Sequence, residues 1–564
     1  MLLAKYAGAQ EQLSLKQQAD KLFERYEYFK SLPLYLKLAK HKPNVQVLER
    51  IADCYRNINR YEDAEAWYAK ATADAKASKI SHYNYAEVLL RDEKFDLAKE
   101  QYKIYFTDAP AELKLKLSTC DSAASWMQQK SAYKVKNEAG FNTEFSDWGL
   151  SYEGKAGMVF TSDRITDNQN GDNRTGNNWF TLYEMAANGQ HISELSIATD
   201  DNAIFNGDYH AGPIAFNNAA DTAYITVTTA IPPKQIGLDK LDPKDKQRLY
   251  TRRLQLVMAS KKNGQWTVFG SFPYNNVQEY SIGDAALSKS GRIIYFTSDM
   301  PGGVGKTDIW YCEKRRDGTW DKPINCGPTI NTKEEEAFPT IAGDGALYYS
   351  SKGLAGMGGY DIYKAVGEKA QWVAPQNLKY PINSTSDDFY LVTRDGVSGY
   401  LSSNREGGHG SDDIYSFAYK PVDTIPVKRV TKPAAPNITA AKPQKTNPEI
   451  VLNPIYYDLD KSNIRPDAAV ELDKLALILK QYPAVKIELS SYTDSRASDQ
   501  YNLALSQRRA ASVVAYLVNK GISADRLVAK YYGETHLVNK CADNVQCTEA
   551  EHQLNRRTEF RVIE

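Results

Sequence analysis

The sequence predicts a multidomain protein with three folded parts: paired α-helices, an all-β propeller of five or six blades, and a C-terminal α/β sandwich. Three observations predict it. Small and aromatic residues recur at a displacement of 34, a short strand phrase returns every 52 or 53 residues, and beyond residue 450 strand alternation and helical periodicity succeed one another. At 564 residues the chain is too long for a single core. Its 70 basic and 70 acidic residues balance, so no global field recruits nucleic acid, and none is expected as a partner. No run of 18 apolar residues occurs, so no membrane-spanning helix is expected.

Residues 1–16 read as an N-terminal segment. Ala7-Gly8-Ala9 before Gln10 has the small-x-small pattern of a secretory cleavage site, which predicts a secretory signal lost from or truncated in this sequence; the plainer reading is an ordinary cytosolic start. No cysteine lies near the start to carry a lipid anchor. In residues 17–130, Ala52, Tyr61, Ala64 and Tyr68 return as Ala86, Phe95, Ala98 and Tyr102, each displaced by 34, with a looser copy from Ala19 to Ala39. Small residues stand where paired helices touch and aromatics fill the gaps, and the stretch resembles tetratricopeptide repeats. That resemblance implies a groove for a peptide or another protein; the plainer role is a helical cap on the next domain.

Residues 140–418 switch to short strands with Gly-rich turns. Val159-Phe160-Thr161-Ser162-Asp163 returns as Tyr295-Phe296-Thr297-Ser298-Asp299, then as Tyr348-Tyr349-Ser350-Ser351 and Tyr400-Leu401-Ser402-Ser403. Asp308-Ile309, Asp361-Ile362 and Asp413-Ile414 follow the last three copies, and a weaker copy surrounds Tyr224, with an insertion over residues 232–252. These units resemble WD-like β-propeller repeats of periplasmic proteins, five blades by count with room for a sixth. Residues 419–449 hold six prolines and a basic excess, and read as a linker that spans on the order of 90 Å if extended at ~3.1 Å per residue.

Residues 450–564 carry the candidate site. Val485, Ile487 and Leu489 alternate as a strand, Asp494 stands at its exit, and the following helix sets Asn502 and Arg509 seven apart, on one face. A carboxylate and a guanidinium held together form a receptor for a zwitterion: one takes the ammonium, the other forks onto the carboxylate. Such a pair should face solvent. The plainer reading is a surface salt bridge. The stretch from Tyr492 to Ala510, the opening Ile455-Tyr456-Tyr457-Asp458 and the closing Asn555-Arg556-Arg557-Thr558-Glu559-Phe560 are similar to the OmpA/Pal-type peptidoglycan-binding domain. The resemblance implies that Asp494 and Arg509 hold the diaminopimelate of a stem peptide, with Asn502, Arg557 and Asp458 as helpers. Ala497 stands where glycine is usual, and Ser491-Tyr492 where Gly-His is.

Cys541 and Cys547 bracket a short loop whose spacing fits a disulfide in an oxidising compartment. A zinc site would need two further ligands, and the neighbouring His536 and His552 match no common spacing. Cys54 and Cys120 read as buried thiols, while Cys312 and Cys326 flank a hairpin and could pair, although the register about Asp317-Gly318 does not favour it. Gly302-Gly303-Val304-Gly305-Lys306-Thr307 is no phosphate loop, because Met300 occupies the first glycine position and a strand follows. Asp167 to Asn173 is out of step with a calcium loop. No catalytic constellation, metal site or cofactor motif is expected.

The order of parts resembles the PorE-like proteins of the type IX secretion and gliding machinery of Bacteroidetes. This resemblance implies a periplasmic, peptidoglycan-bound scaffold partnering an outer-membrane protein of the PorP/SprF type, with further envelope proteins on the propeller and helical repeats. Two alternatives are a general envelope scaffold and an enzyme housed in the propeller.

Overall fold

The computed structural model describes residues 13–40, 43–129, 131–155, 157–164, 171–185, 191–199, 210–228, 252–419, 454–462, 464–482, 485–523, 526–543 and 545–563. Residues 1–12 of the expected N-terminal segment, the linker beyond Tyr419, most of the insertion at 232–252 and residues 167–170 of the rejected calcium loop lie outside these. The chain divides into two compact units, Met1–Val427 and Lys428–Glu564. Among the described residues no helix is long and apolar enough to cross a membrane.

Among the described residues the first unit opens with seven helices: α1 Leu15–Glu24, α2 Tyr28–Ala39, α3 Val45–Asn57, α4 Tyr61–Thr72, α5 Lys79–Arg91, α6 Phe95–Tyr105 and α7 Pro110–Met127. Each packs on its predecessor in sequence, so the helices form successive hairpins. The recurrence has a physical cause. Ala19, Ala52 and Ala86 are fully buried at close helix crossings. Tyr35, Tyr68 and Tyr102 are equally buried, and each donates its hydroxyl to an acid on the preceding helix: Asp20 at 2.7 Å, Asp53 at 2.5 Å and Glu87 at 2.5 Å. A tyrosine this deep needs a partner for its hydroxyl, so ring and carboxylate are kept together from one repeat to the next.

Among the described residues five sheets of four or five strands follow, antiparallel throughout except that Ile197–Ala198 pairs parallel with Gln265–Ser271 at the edge of the second. Their first strands are Asp147–Glu153, Ala211–Phe216, Ile282–Leu287, Glu336–Ile341 and Asp388–Thr393, and these pack neighbour to neighbour in cyclic order, the last against the first. Every one carries a bulge against its second strand. The residues at the bulge take positive φ: Gly149, Gly212, Asp284, Phe338 and Tyr390. Bulges turn the strands where they converge, and Trp148, Phe338, Phe389 and Tyr390 fill that convergence with edge-on and tilted ring contacts.

The returning Asp-Ile phrase is also explained. Asp308 accepts the backbone N–H groups of Val304 and Gly305, and Asp413 accepts those of His409 and Gly410, so each carboxylate closes a Gly-rich loop. The isoleucine backbone is clasped by an asparagine from the following unit. Asn331 accepts from Ile309 N–H at 2.8 Å and donates to its carbonyl at 3.0 Å, and Asn383 does the same for Ile362. For Ile414 the clasp is Asn142, at 2.8 Å in both directions, far upstream in the chain. The strand Tyr133–Asn137, which precedes the residues expected to begin the β array, pairs with Asp413–Tyr419 as the fourth strand of the last sheet. The two ends of the array are thereby joined.

The second unit has one mixed sheet, ordered Ile455–Tyr456, Arg557–Ile563, Lys486–Ser491, Leu527–Tyr531, with the last pair parallel. Helices α8 Pro466–Gln481 and α9 Asp499–Asn519 contribute to the core with it, and α10 Glu549–Asn555 leads into the Arg557 strand. Leu472, Leu475 and Leu479 of α8, Val513 and Leu517 of α9, and Ile487 and Leu489 of the sheet form that core.

Candidate functional site

Ser498 caps α9, its hydroxyl accepting from the N–H of Tyr501, which fixes where the helix starts relative to the strand exit. Asp494 lies on the short connection between the two. Both it and Arg509 are buried, at 5 % and 0 % exposure, so the expectation of a solvent-facing pair is wrong. Helical spacing assigns residues to a face but says nothing of how much chain covers that face. Nor do the two form a salt bridge: among the described residues no ion pair joins them.

Asp494 is held by other cations. Arg496 donates to its Oδ2 through Nε at 3.0 Å and Nη2 at 2.6 Å, and Arg556 donates to the same oxygen at 2.8 Å. Among the described residues no bond reaches Oδ1. Burial would raise this carboxyl, but the bonds from Arg496 and Arg556 outweigh it and hold the group below the usual aspartate value. Arg556 is almost fully buried. It also donates to the Tyr457 carbonyl, to Glu549 at 2.7 Å and to Gln553. Arg496 is a third exposed, covers Asp494 from outside and reaches Glu549 with Nη1 at 2.7 Å.

Among the described residues Arg509 donates to backbone carbonyls alone. Its Nε donates to Lys461 O at 2.9 Å, Nη1 to Tyr492 O at 2.9 Å and Nη2 to Asp458 O at 3.3 Å, while its guanidinium lies 4.7 Å from the Tyr457 ring centre. Burial lowers its pKa to about 10, the charge of Asp494 opposing that only in part. This is a cation set in a polar cradle without a carboxylate against it.

The helpers fall in different places. Asn502, 1 % exposed, donates to Ala497 O at 3.1 Å and to Glu534, tying the start of α9 to the loop after Leu527–Tyr531. Asp458 supplies its backbone carbonyl to Arg509, whereas its half-exposed carboxylate pairs with Arg465 at 3.3 Å. Arg557 does not touch Asp494. It stacks 4.1 Å above Tyr492, donates to His536 O and pairs with Glu559 at 2.7 Å. Of the two adjacent arginines, Arg556 is the one on the aspartate. The sequence reading missed it, along with Arg496 and Glu549, because adjacent residues entering a strand point to opposite sides.

Cys541 and Cys547 form a disulfide, which removes both sulfurs from any zinc site. The bridged loop lies against the site, since Ser495 donates to Cys541 O at 2.7 Å. Asp499, Glu534 and Asp543 bring carboxylate oxygens within 4.8 Å, a partly exposed acidic group beside Asn502 that in itself makes no metal centre. Cys54 and Cys120 are buried free thiols, as expected, and Cys312 and Cys326, whose pairing the sequence left open, are unpaired and buried too.

Residues 456–550 match the OmpA family model. The C-terminal unit is an OmpA-like domain. Its sequence is 42 % identical over 108 residues to outer membrane porin F of Pseudomonas fluorescens, covering 19 % of this chain and 32 % of that protein. It is 39 % identical over 93 residues to the peptidoglycan-associated lipoprotein of Rhizobium meliloti, covering 16 % of this chain and 52 % of the relative. The chain thus spans between a third and about half the length of these relatives. Among solved structures, the peptidoglycan-associated lipoprotein of Burkholderia pseudomallei is similar at 28 % identity, with a TM-score of 0.18, over 20 % of this chain and 89 % of that one.

Proposed function

We propose that the OmpA-like domain binds peptidoglycan non-covalently by its diaminopimelate centre, with Arg509 taking the carboxylate and Asp494 the ammonium. The observation that carries this reading is the state of Arg509: a buried guanidinium with three backbone acceptors and no anion. Burial disfavours its charge, so an arriving carboxylate gains the full charge-assisted interaction in a site already paid for by the fold. Asp494 keeps Oδ1 for an ammonium, and Arg496, the exposed partner, is the group that must swing aside. Asn502 positions the loop, Asp458 fixes Arg509 through its carbonyl, and Arg557 supports Tyr492 from the far side. The peptidoglycan-associated lipoproteins among the relatives support the same ligand class.

The five sheets in cyclic order are read as a five-bladed propeller and the helical hairpins as tetratricopeptide-like repeats. Together they would grip an outer-membrane complex, in the type IX secretion or gliding setting a PorP/SprF-type protein, while the linker sets reach. No chemistry is required of such a periplasmic tether, because one attachment raises the effective concentration of the other. The test is retention on purified sacculi. Wild type should be retained and Asp494→Asn lost at a temperature where calorimetry shows the variant still folded, and sacculi with lysine in place of diaminopimelate should bind neither. Retention of Asp494→Asn, or equal retention on both wall types, would refute the site.

A further inference from the structure

The first unit contains a cavity of about 700 Å³ between the helical hairpins and the β array, lined from both the first and the last of its sheets. Its frame is fixed by contacts across the two parts. Phe29 N–H, in α2, donates to Arg174 O at 3.2 Å, and Asn59 donates to Ser411 Oγ at 3.2 Å. Gly176 takes φ +86° with the Phe29 ring directly over it, where a Cβ would stand 2.7 Å from the ring, so the approach is as close as the backbone permits. One wall is apolar: Phe29, Leu32 and Leu36 from α2, and Phe180 from the β array.

The opposite wall is acidic. Asp163 is 3 % exposed; it accepts from Ser146 N–H at 2.7 Å and from Asn177 at 2.9 Å. Asp412 also bonds Ser146; the charges of Asp387 and Asp163 oppose its ionisation, and Arg91 favours it from beyond ion-pair distance. The basic residues on the lining are otherwise engaged. Arg60 pairs with Asp63, and His210, at 3.6 Å, and Arg174 act on Asp172. Among the described residues no cation lies within ion-pair distance of Asp163 or Asp412. Burial pushes the first up to about 6 and the second to about 7, the mark of carboxylates that lack a counter-ion. Two acids without a counter-ion, Asp163 buried and Asp412 partly so, are costly, and a cavity that retains them beside an apolar wall is matched to a ligand that is cationic at one end and apolar at the other.

We propose that this cavity receives a basic side chain, with an adjoining apolar one, from a segment of a partner polypeptide, the cation on Asp163 and Asp412 and the apolar group on Phe29, Leu32 and Leu36. The proposal is independent of the C-terminal site. It places one attachment point of the first unit between its helical and β parts, a surface that exists only while the two are docked.

The test uses the full chain and capped dipeptides followed by saturation-transfer NMR: acetyl-Leu-Arg-amide and its neutral isostere acetyl-Leu-citrulline-amide. The arginine peptide should bind about tenfold or more tightly than the citrulline one, the range of a charge-assisted bond. Asp412→Asn, whose backbone contact to Asp147 N–H is untouched, should erase that preference at unchanged melting temperature. Equal binding of the two peptides to wild type would overturn the proposal without recourse to any variant. So would absence of saturable binding at millimolar concentration, or displacement of the arginine peptide by micromolar calcium chloride, which would mark a metal site instead.

Discussion

Replacing Arg509 by methionine tests whether this side chain is part of the fold as well as of the site. The substitution keeps a long apolar stem but removes three donors, leaving the carbonyls of Lys461, Tyr492 and Asp458 without them. Hydrogen bonds from charged groups contribute about 1.5–3 kcal/mol each, so three set an upper bound near 5–9 kcal/mol. The bound is not reached. Methionine also removes the desolvation cost of a buried guanidinium, which runs to several kcal/mol. A net loss of about 2–4 kcal/mol remains, or roughly 10–20 °C in the melting of a domain this size. Differential scanning calorimetry of the full chain should show one transition moved by that amount and the rest unmoved. A shift under about 3 °C would mean that the guanidinium is solvated by water, and the cradle would be refuted. Loss of wall binding in Arg509→Met would then mix unfolding with lost recognition, which is why Asp494→Asn is the cleaner probe of the ligand.

Two further outcomes are expected. Asp494 has a folded pKa below its unfolded value of 3.8, so its stabilising contribution is complete above that value and is lost as pH falls through the lower one. Sacculus retention should therefore be flat between about pH 5 and 8 and weaken only below about 4; a fall centred near pH 6 would point to another group. Asn142→Ala removes the clasp on Ile414 and should cost about 1–3 kcal/mol, more than an exposed asparagine would, because a buried N–H and carbonyl lose their partners together. Urea unfolding of the full chain measures it, and a change under about 0.5 kcal/mol would mean that the ends of the array are held without this residue.

What the sequence made legible was whatever repeats. Tyr68 and Tyr102, displaced by 34, mark helix pairs because ring and acid must travel together. Asp308, Asp361 and Asp413 mark strands because each begins the third strand of its sheet. What happens once was hidden. The strand Tyr133–Asn137 and Asn142 serve the far end of the array, and no local pattern announces a partner some 270 residues away. In the OmpA-like domain the spacing of Asn502 and Arg509 fixed their common face, but depth depends on which chain covers it. The choice between Arg556 and Arg557 turned on one residue of register, to which periodicity is blind.

The most direct measurement is a crystal structure of the protein soaked with meso-diaminopimelate. The account predicts one amino-acid centre with its carboxylate on Arg509 and its ammonium on Asp494, and Arg496 turned away from Oδ2. Ligand bound elsewhere, or an unaltered Arg496–Asp494 contact at saturating concentration, would contradict it.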